Sequence, residues 1–181
     1  DLKYNNIDEV INGNAQYGVA DSILILYRLK QQPVVIVSPI FQHSPSVFIS
    51  LKKSNISSVY ELNNKDILFY PNDTDGFYLL AMIKKFNLDV NLVRERYKDD
   101  YMRLINNEVD VMPAYIANEP FLFKEKGYDV NIINPTNYGF DMYGDMLFTN
   151  EDEAKNNPIR VEKFKEATLK GWKYALENKE E

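Results

Sequence analysis

The residues able to do chemistry fall in five short loops: Asp21-Ser22, His43-Ser44-Pro45, Asn72 to Gly76, Ala114-Tyr115-Ile116-Ala117-Asn118-Glu119-Pro120, and Tyr138 to Asp145, which holds two tyrosines and two aspartates. The loops offer carboxylates, hydroxyls, amides and aromatic rings. Cysteine is absent and histidine occurs once, at His43. That removes thiol nucleophiles, Cys-rich zinc sites, His-pair metal sites and most Ser-His arrangements. No metal site and no catalytic residue is expected. The seven glycines form no phosphate-cradling pattern. Asn72-Asp73-Thr74-Asp75-Gly76 begins like a calcium loop, but Ile83 and Lys84 stand where its closing acidic residue would be.

Each loop also has a plainer reading. Asp21-Ser22 and Asp73 to Asp75 are good helix caps, and Glu119 before Pro120 suits the first turn of a helix, where a carboxylate complements the dipole. With 13 tyrosines in the chain, a single loop tyrosine also reads as a ring that covers the core with its hydroxyl in water. His43 reads as a structural, hydrogen-bonded group. The acidic run Glu151-Asp152-Glu153 sits at an expected helix start, where carboxylates favour the dipole, and reads as a solvated turn.

The elements that must position these loops alternate between strand and helix, the pattern of an α/β protein. Strands are predicted over residues 15–20, 34–37, 47–51, 67–70, 91–96, 109–113, 129–133 and 145–149. Helices are predicted after Ser22 (Ile23, Leu26, Leu29), after Gly76 (Leu79, Ile83, Phe86), over 100–107 and over 116–126, with a short helical pattern at 54–62. The last helix is the clearest: Asn157 as N-cap, Pro158 in the first helical position, then Val161, Phe164, Thr168 and Trp172 at helical spacing. Residues 134–144 read as a crossing loop. In an open α/β sheet, ligands bind beyond the carboxyl ends of strands, where most of these loops lie.

The chain has 181 residues, 45% of them hydrophobic, enough to bury a core without disulfides or metals. Asp plus Glu number 27 against 21 Lys plus Arg, a net charge of −6, which argues against a nucleic-acid partner. No run of apolar residues approaches the length of a membrane span. Composition leaves the compartment open, since cysteine-free chains occur in cytoplasm and periplasm alike. The opening without Met points to an excised domain or a processed fragment.

Four phrases together resemble the NMT1/THI5-like family of periplasmic-binding-protein domains. They are Gln16-Tyr17-Gly18-Val19-Ala20-Asp21-Ser22, Ile40-Phe41-Gln42-His43-Ser44-Pro45, Ala114 to Phe121, and Asn134 to Asp145; the closing Lys170-Gly171-Trp172-Lys173-Tyr174-Ala175-Leu176 is similar to the family's final helix. The resemblance implies a two-lobed, type II periplasmic-binding-protein-like α/β fold, here lacking the first strand and helix of lobe one. Lobe one would be 1–43 with 139–181, and lobe two 44–138. It further implies a cleft for a small organic, aminopyrimidine-like ligand, lined by Asp21, Ser22, Ser44, Asp73, Thr74, Tyr115, Asn118, Glu119, Tyr138, Asp141 and Tyr143. Aromatic faces would sandwich a flat ligand, and a carboxylate such as Glu119 would accept its N–H groups.

The wording is nearest to extracytoplasmic sensor domains of bacterial histidine kinases and diguanylate cyclases. The expected role is therefore ligand sensing, with a signalling module on the same chain as partner. A solute receptor that serves an ABC permease for a pyrimidine precursor or sulfonate is the alternative. Either role places the domain in the periplasm or outside the cytoplasm, with any membrane attachment in flanking segments and no cofactor. The family's pyrimidine-forming enzymes depend on cysteines that are missing here, so no enzyme activity is expected.

Overall fold

The computed structural model describes residues 5–70, 74–94 and 100–179. The chain divides into two compact units, residues 1–44 with 143–181, and residues 45–142.

The first unit contains α1 (Asn6–Ile11), β1 (Tyr17–Ala20), α2 (Ile23–Leu29), β2 (Val34–Pro39), and, from the far end of the chain, β8 (Met146–Asn150), α6 (Glu151–Asn156) and α7 (Pro158–Glu177). Its sheet has the order β1-β8-β2, with β8 antiparallel to both neighbours. β2 carries a register shift between Ile36 and Ser38 that lengthens it past the expected 34–37 run. Phe148, Met146, Leu24, Val34, Ile7 and Val10 make the buried core.

The second unit contains β3 (Ser46–Leu51), β4 (Asp66–Phe69), α3 (Thr74–Phe86), β5 (Asn91–Arg94), α4 (Asp100–Ile105), β6 (Met112–Tyr115), α5 (Glu119–Glu125) and β7 (Val130–Ile133), with short 3-10 turns at Lys52–Ser54, Val59–Leu62 and Pro135–Tyr138. β3 lies between β6 and β7, and β4 pairs with β5 in parallel. Every residue of β3 is buried. Because side chains alternate along a strand, Val47, Ile49 and Leu51 feed one core cluster with Phe123 and Leu104, while Phe48 feeds the other with Tyr78, Leu79 and Met82. The buried Ser50 hydroxyl donates to the Ile56 carbonyl (2.6 Å) and accepts from Asn131 Nδ2 (3.1 Å), so it carries no unmet hydrogen bond into the core.

Three expectations need correction. The strand expected at 109–113 begins only at Met112, since Val111 makes just an isolated parallel bridge to Ile67 before the chain joins β3. The helix expected at 116–126 begins at Glu119, because Pro120 suits the first turn and has no N–H to donate farther in. The acidic run at 151–153 is the first turn of α6, at the helix start expected for it, but it is not solvated throughout, since Glu153 is buried.

Glu153 is the polar anchor of the first unit. Its carboxylate accepts the Tyr17 hydroxyl (2.9 Å), Asn157 Nδ2 (3.0 Å), and both Nε (2.7 Å) and Nη2 (2.5 Å) of Arg160. It therefore links β1 to the start of α7. Asn157 precedes α7 as expected but donates its side chain to Glu153 and makes no capping bond. No residue of α7 is buried, and its apolar stripe is covered only in part, Phe164 stacking on Tyr17 with ring centroids 4.1 Å apart.

Two predictions follow from these contacts. Hydrogen bonds from Arg160, then Tyr17 and Asn157, hold the Glu153 carboxyl at about 2, below its ordinary 4.5. A depressed carboxylate stabilises the fold fully above its unfolded pKa and loses that contribution as pH falls through the folded one. The melting-temperature gap between wild type and Glu153→Gln is therefore expected to be constant above about pH 4.5 and to shrink between 4.5 and 2; a gap unchanged over that window would contradict the network. Separately, a Cβ on Gly76 would stand 2.0 Å from the Tyr70 carbonyl oxygen, so the first turn of α3 can approach the exit of β4 only without a side chain. Gly76→Ala is expected to destabilise by about 1–3 kcal/mol in denaturant titration, the usual range for overpacking.

Candidate functional site

In the first unit the polar residues gather where β1 ends, β2 ends and β8 begins. Asp21 and Ser22 follow β1 directly and both are buried. Asp21 Oδ1 accepts the Ile23 N–H (3.1 Å), which turns the chain into α2. Ser22 stands at the N-cap but makes no capping bond. Its hydroxyl instead donates to the Tyr143 carbonyl (2.6 Å), tying the chain before β8 to the chain after β1. From the other side, Gly144 N–H donates to the Phe41 carbonyl (3.0 Å), and the Asp145 carbonyl accepts Ile40 N–H (2.8 Å) and Phe41 N–H (3.2 Å). Residues 143–145 are thus held by both neighbouring segments. Tyr143 leaves its ring exposed, and Ser44 is half-buried. Burial raises the pKa of Asp145.

In the second unit Tyr115, Asn118 and Glu119 form a self-contained turn between β6 and α5. Glu119 Oε2 accepts the Tyr115 backbone N–H (2.6 Å), and Oε1 accepts Asn118 Nδ2 (3.0 Å). Both carboxylate oxygens are therefore engaged in shaping their own loop. Tyr138 lies elsewhere in this unit, edge-on to Phe86 (5.8 Å) and Tyr60 (6.4 Å). Its hydroxyl accepts the Val59 N–H (3.2 Å) and its carbonyl accepts Lys85 Nζ (2.7 Å). Asp141 is exposed. Thr74 opens α3, and Asp73 lies outside the described residues.

Of the expected site residues, the structure brings Asp21, Ser22 and the Tyr143 backbone together, and separately Tyr115, Asn118 and Glu119. From the loop 138–145 the expected set names Tyr138, Asp141 and Tyr143 and not Asp145, which stands immediately before β8. The available signal was the strand boundary: a residue immediately before a strand lies in the row of those immediately after its antiparallel neighbours. A pocket of about 300 Å³ in the first unit, lined by residues that include Asn12, Gln16, Glu153 and Arg160, lies beyond the opposite end of β1 from Asp21. Among the described residues no group of three or more acidic or histidine side chains could hold a metal ion, and no helix is long and apolar enough to cross a membrane.

Comparison with known proteins gives a match to the family described as NMT1/THI5 like over residues 3–181. The riboflavin-binding protein RibY of Chloroflexus aurantiacus is 26% identical over 162 residues, covering 87% of this chain and 46% of its own length. The formylaminopyrimidine-binding protein of Halalkalibacterium halodurans is 24% identical over 162 residues, covering 87% and 49%. The chain thus spans about half the length of the curated relatives it matches. Among solved structures, the periplasmic aliphatic sulphonate binding protein SsuA of Escherichia coli superposes with a TM-score of 0.79 at 13% identity, over 96% of this chain and 60% of that one. The alkanesulfonate-binding SsuA of Xanthomonas axonopodis pv. citri, bound to MOPS, gives 0.72 at 16%, over 96% and 61%. At such identities these structures speak for the fold, which is that of the periplasmic binding proteins.

The Tyr115 turn gives the Glu119 carboxylate a role in holding its own loop. Glu119→Ala, which leaves the Tyr115 N–H without its acceptor, is expected to lower stability by about 1–3 kcal/mol, the range for a polar group left unpaired. An unchanged denaturation midpoint would show that the loop does not depend on it.

Proposed function

The chain belongs to the NMT1/THI5-like family, and from that premise we propose that it is the ligand-binding part of an extracytoplasmic solute receptor that passes a small organic molecule to an ABC permease. The observation that carries this reading is the family match along nearly the whole chain, together with relatives named as binding proteins. Riboflavin and formylaminopyrimidine, the ligands in those names, are both flat nitrogen heterocycles. A ligand of that class suits a binding surface supplied with tyrosine rings, carboxylates and hydroxyls.

In this reading the two compact units are the two lobes, with boundaries near residues 44 and 142. Asp21, Ser22, Ser44, Tyr115, Asn118, Asp141 and Tyr143 are the ligand-side candidates, joined by the 73–74 segment. Glu119 and Tyr138 serve by shaping their loops. The protein binds and releases its ligand unchanged and needs no cofactor. Any membrane attachment belongs to flanking segments. The sensor reading drawn from the sequence is placed second, since the relatives named above are binding proteins rather than kinases or cyclases.

Thermal-shift measurements on the full-length protein test the binding role. Riboflavin, aminopyrimidines and alkanesulfonates are the panel, and a true ligand at a hundred times its Kd should add about 2.7 kcal/mol of stability. A panel in which nothing raises the melting temperature would remove the ligand-binding reading. Neighbouring permease genes are expected; a kinase or cyclase domain on the same chain would replace the receptor role with sensing.

A further inference from the structure

We propose that Asp145, through its side-chain carboxylate, is a specificity-determining residue of the ligand site, and that it selects a ligand bearing a cationic or N–H-donating group over a sulfonate or carboxylate. The inference rests on the ligand-binding reading above and adds the chemical class of the ligand.

Strand register places Asp145 at the end of the first unit's sheet. Ala20 of β1 and Pro39 of β2 are both Cα partners of Met146 in β8. One step beyond the end of the sheet, Asp21, Asp145 and Ile40 therefore continue a single row. The Asp145 backbone is fixed there by its two accepted bonds from Ile40 and Phe41. Its neighbours are held too, Gly144 by Phe41 and Tyr143 by the Ser22 hydroxyl. Such a frame positions a side chain far better than a free loop does.

The second observation is what the carboxylate lacks. Asp145 is half-buried, and no described residue gives its side-chain oxygens a hydrogen bond or an ion pair. Glu153 and Glu119, by contrast, have both oxygens occupied within the protein. A carboxylate partly withdrawn from water with no internal donor is disfavoured by desolvation, and burial accordingly raises its pKa. A donor brought by a ligand relieves that penalty, whereas an anionic ligand adds repulsion.

The test sets a cationic and a neutral N–H-donating probe against an aromatic and an aliphatic sulfonate. Melting temperature and calorimetric Kd are measured on the full-length protein with benzamidine and 4-aminopyrimidine, and with benzenesulfonate and ethanesulfonate. The variants are Asp145→Asn and, as a control for a change of one charge elsewhere in the unit, the exposed Asp152→Asn. The expected result is binding of at least one of the first two probes and neither sulfonate. Asp145→Asn should weaken that binding by roughly tenfold or more, the scale of a charge-assisted hydrogen bond, while the melting temperature of the unliganded protein holds or rises. Asp152→Asn should leave the affinity within about twofold. Preferential binding of the sulfonates, or equal affinity of wild type and Asp145→Asn for the bound probe, would overturn this assignment and leave the receptor reading standing. Silence from all four probes and from riboflavin alike would remove both.

Discussion

The first unit depends on a single pairing. β1 and β2 do not touch as strands; with β8 between them they lie two interstrand spacings apart, roughly 9–10 Å. Only a strand from the far end of the chain fills that space, and its arrival brings Tyr143, Gly144 and Asp145 against Ser22 and Phe41. The pairing is demanding. Gly18 lies opposite Phe148, and a Cβ there would come within 2.6 Å of the fully buried ring. Glycine on β1 and phenylalanine on β8 are thus one packing decision made at two places in the sequence.

The same register sorts the carboxylates by role. Glu153 is turned inward from α6 and meets a complete set of donors, so its charge belongs to the fold. Glu119 is taken up by the turn that it opens. Asp145, at the end of the sheet, has its backbone bound while no described residue donates to its side chain. A carboxylate is thus occupied or not according to whether the elements around it supply donors.

Much of the fold was legible in the sequence because its elements carry strong local signals. The Val-Phe-Ile-Ser-Leu run is continuously apolar apart from Ser50, as a strand covered on both faces must be, and it became the buried centre of its sheet. Asn157-Pro158 marked the start of α7 correctly. The misread segments are those where local preference was overridden. Val109 and Val111 have strand character, but the ladder with β3 begins at Met112, where the partner strand permits it. Glu151-Asp152-Glu153 looked solvated because nothing local reveals that Arg160 and Tyr17 converge on its last member. The local sequence around Tyr138 likewise says nothing of Tyr60 and Phe86, which pack around it.

What the sequence determined by itself is the chemistry on offer and the class of architecture. The lack of cysteine and the single histidine, the alternation of strands with helices, and the phrases shared with one family are properties of composition and short range, and they survive any rearrangement in space. The tertiary structure alone decided which polar groups face one another. Hydrogen bonds form over about 3 Å, and the partners that matter here, Ser22 with Tyr143 and Tyr17 with Glu153, are 121 and 136 residues apart along the chain. No spacing rule reaches that far; only the insertion of β8 between β1 and β2 brings those pairs together and sets Asp145 where no described residue donates to its carboxylate.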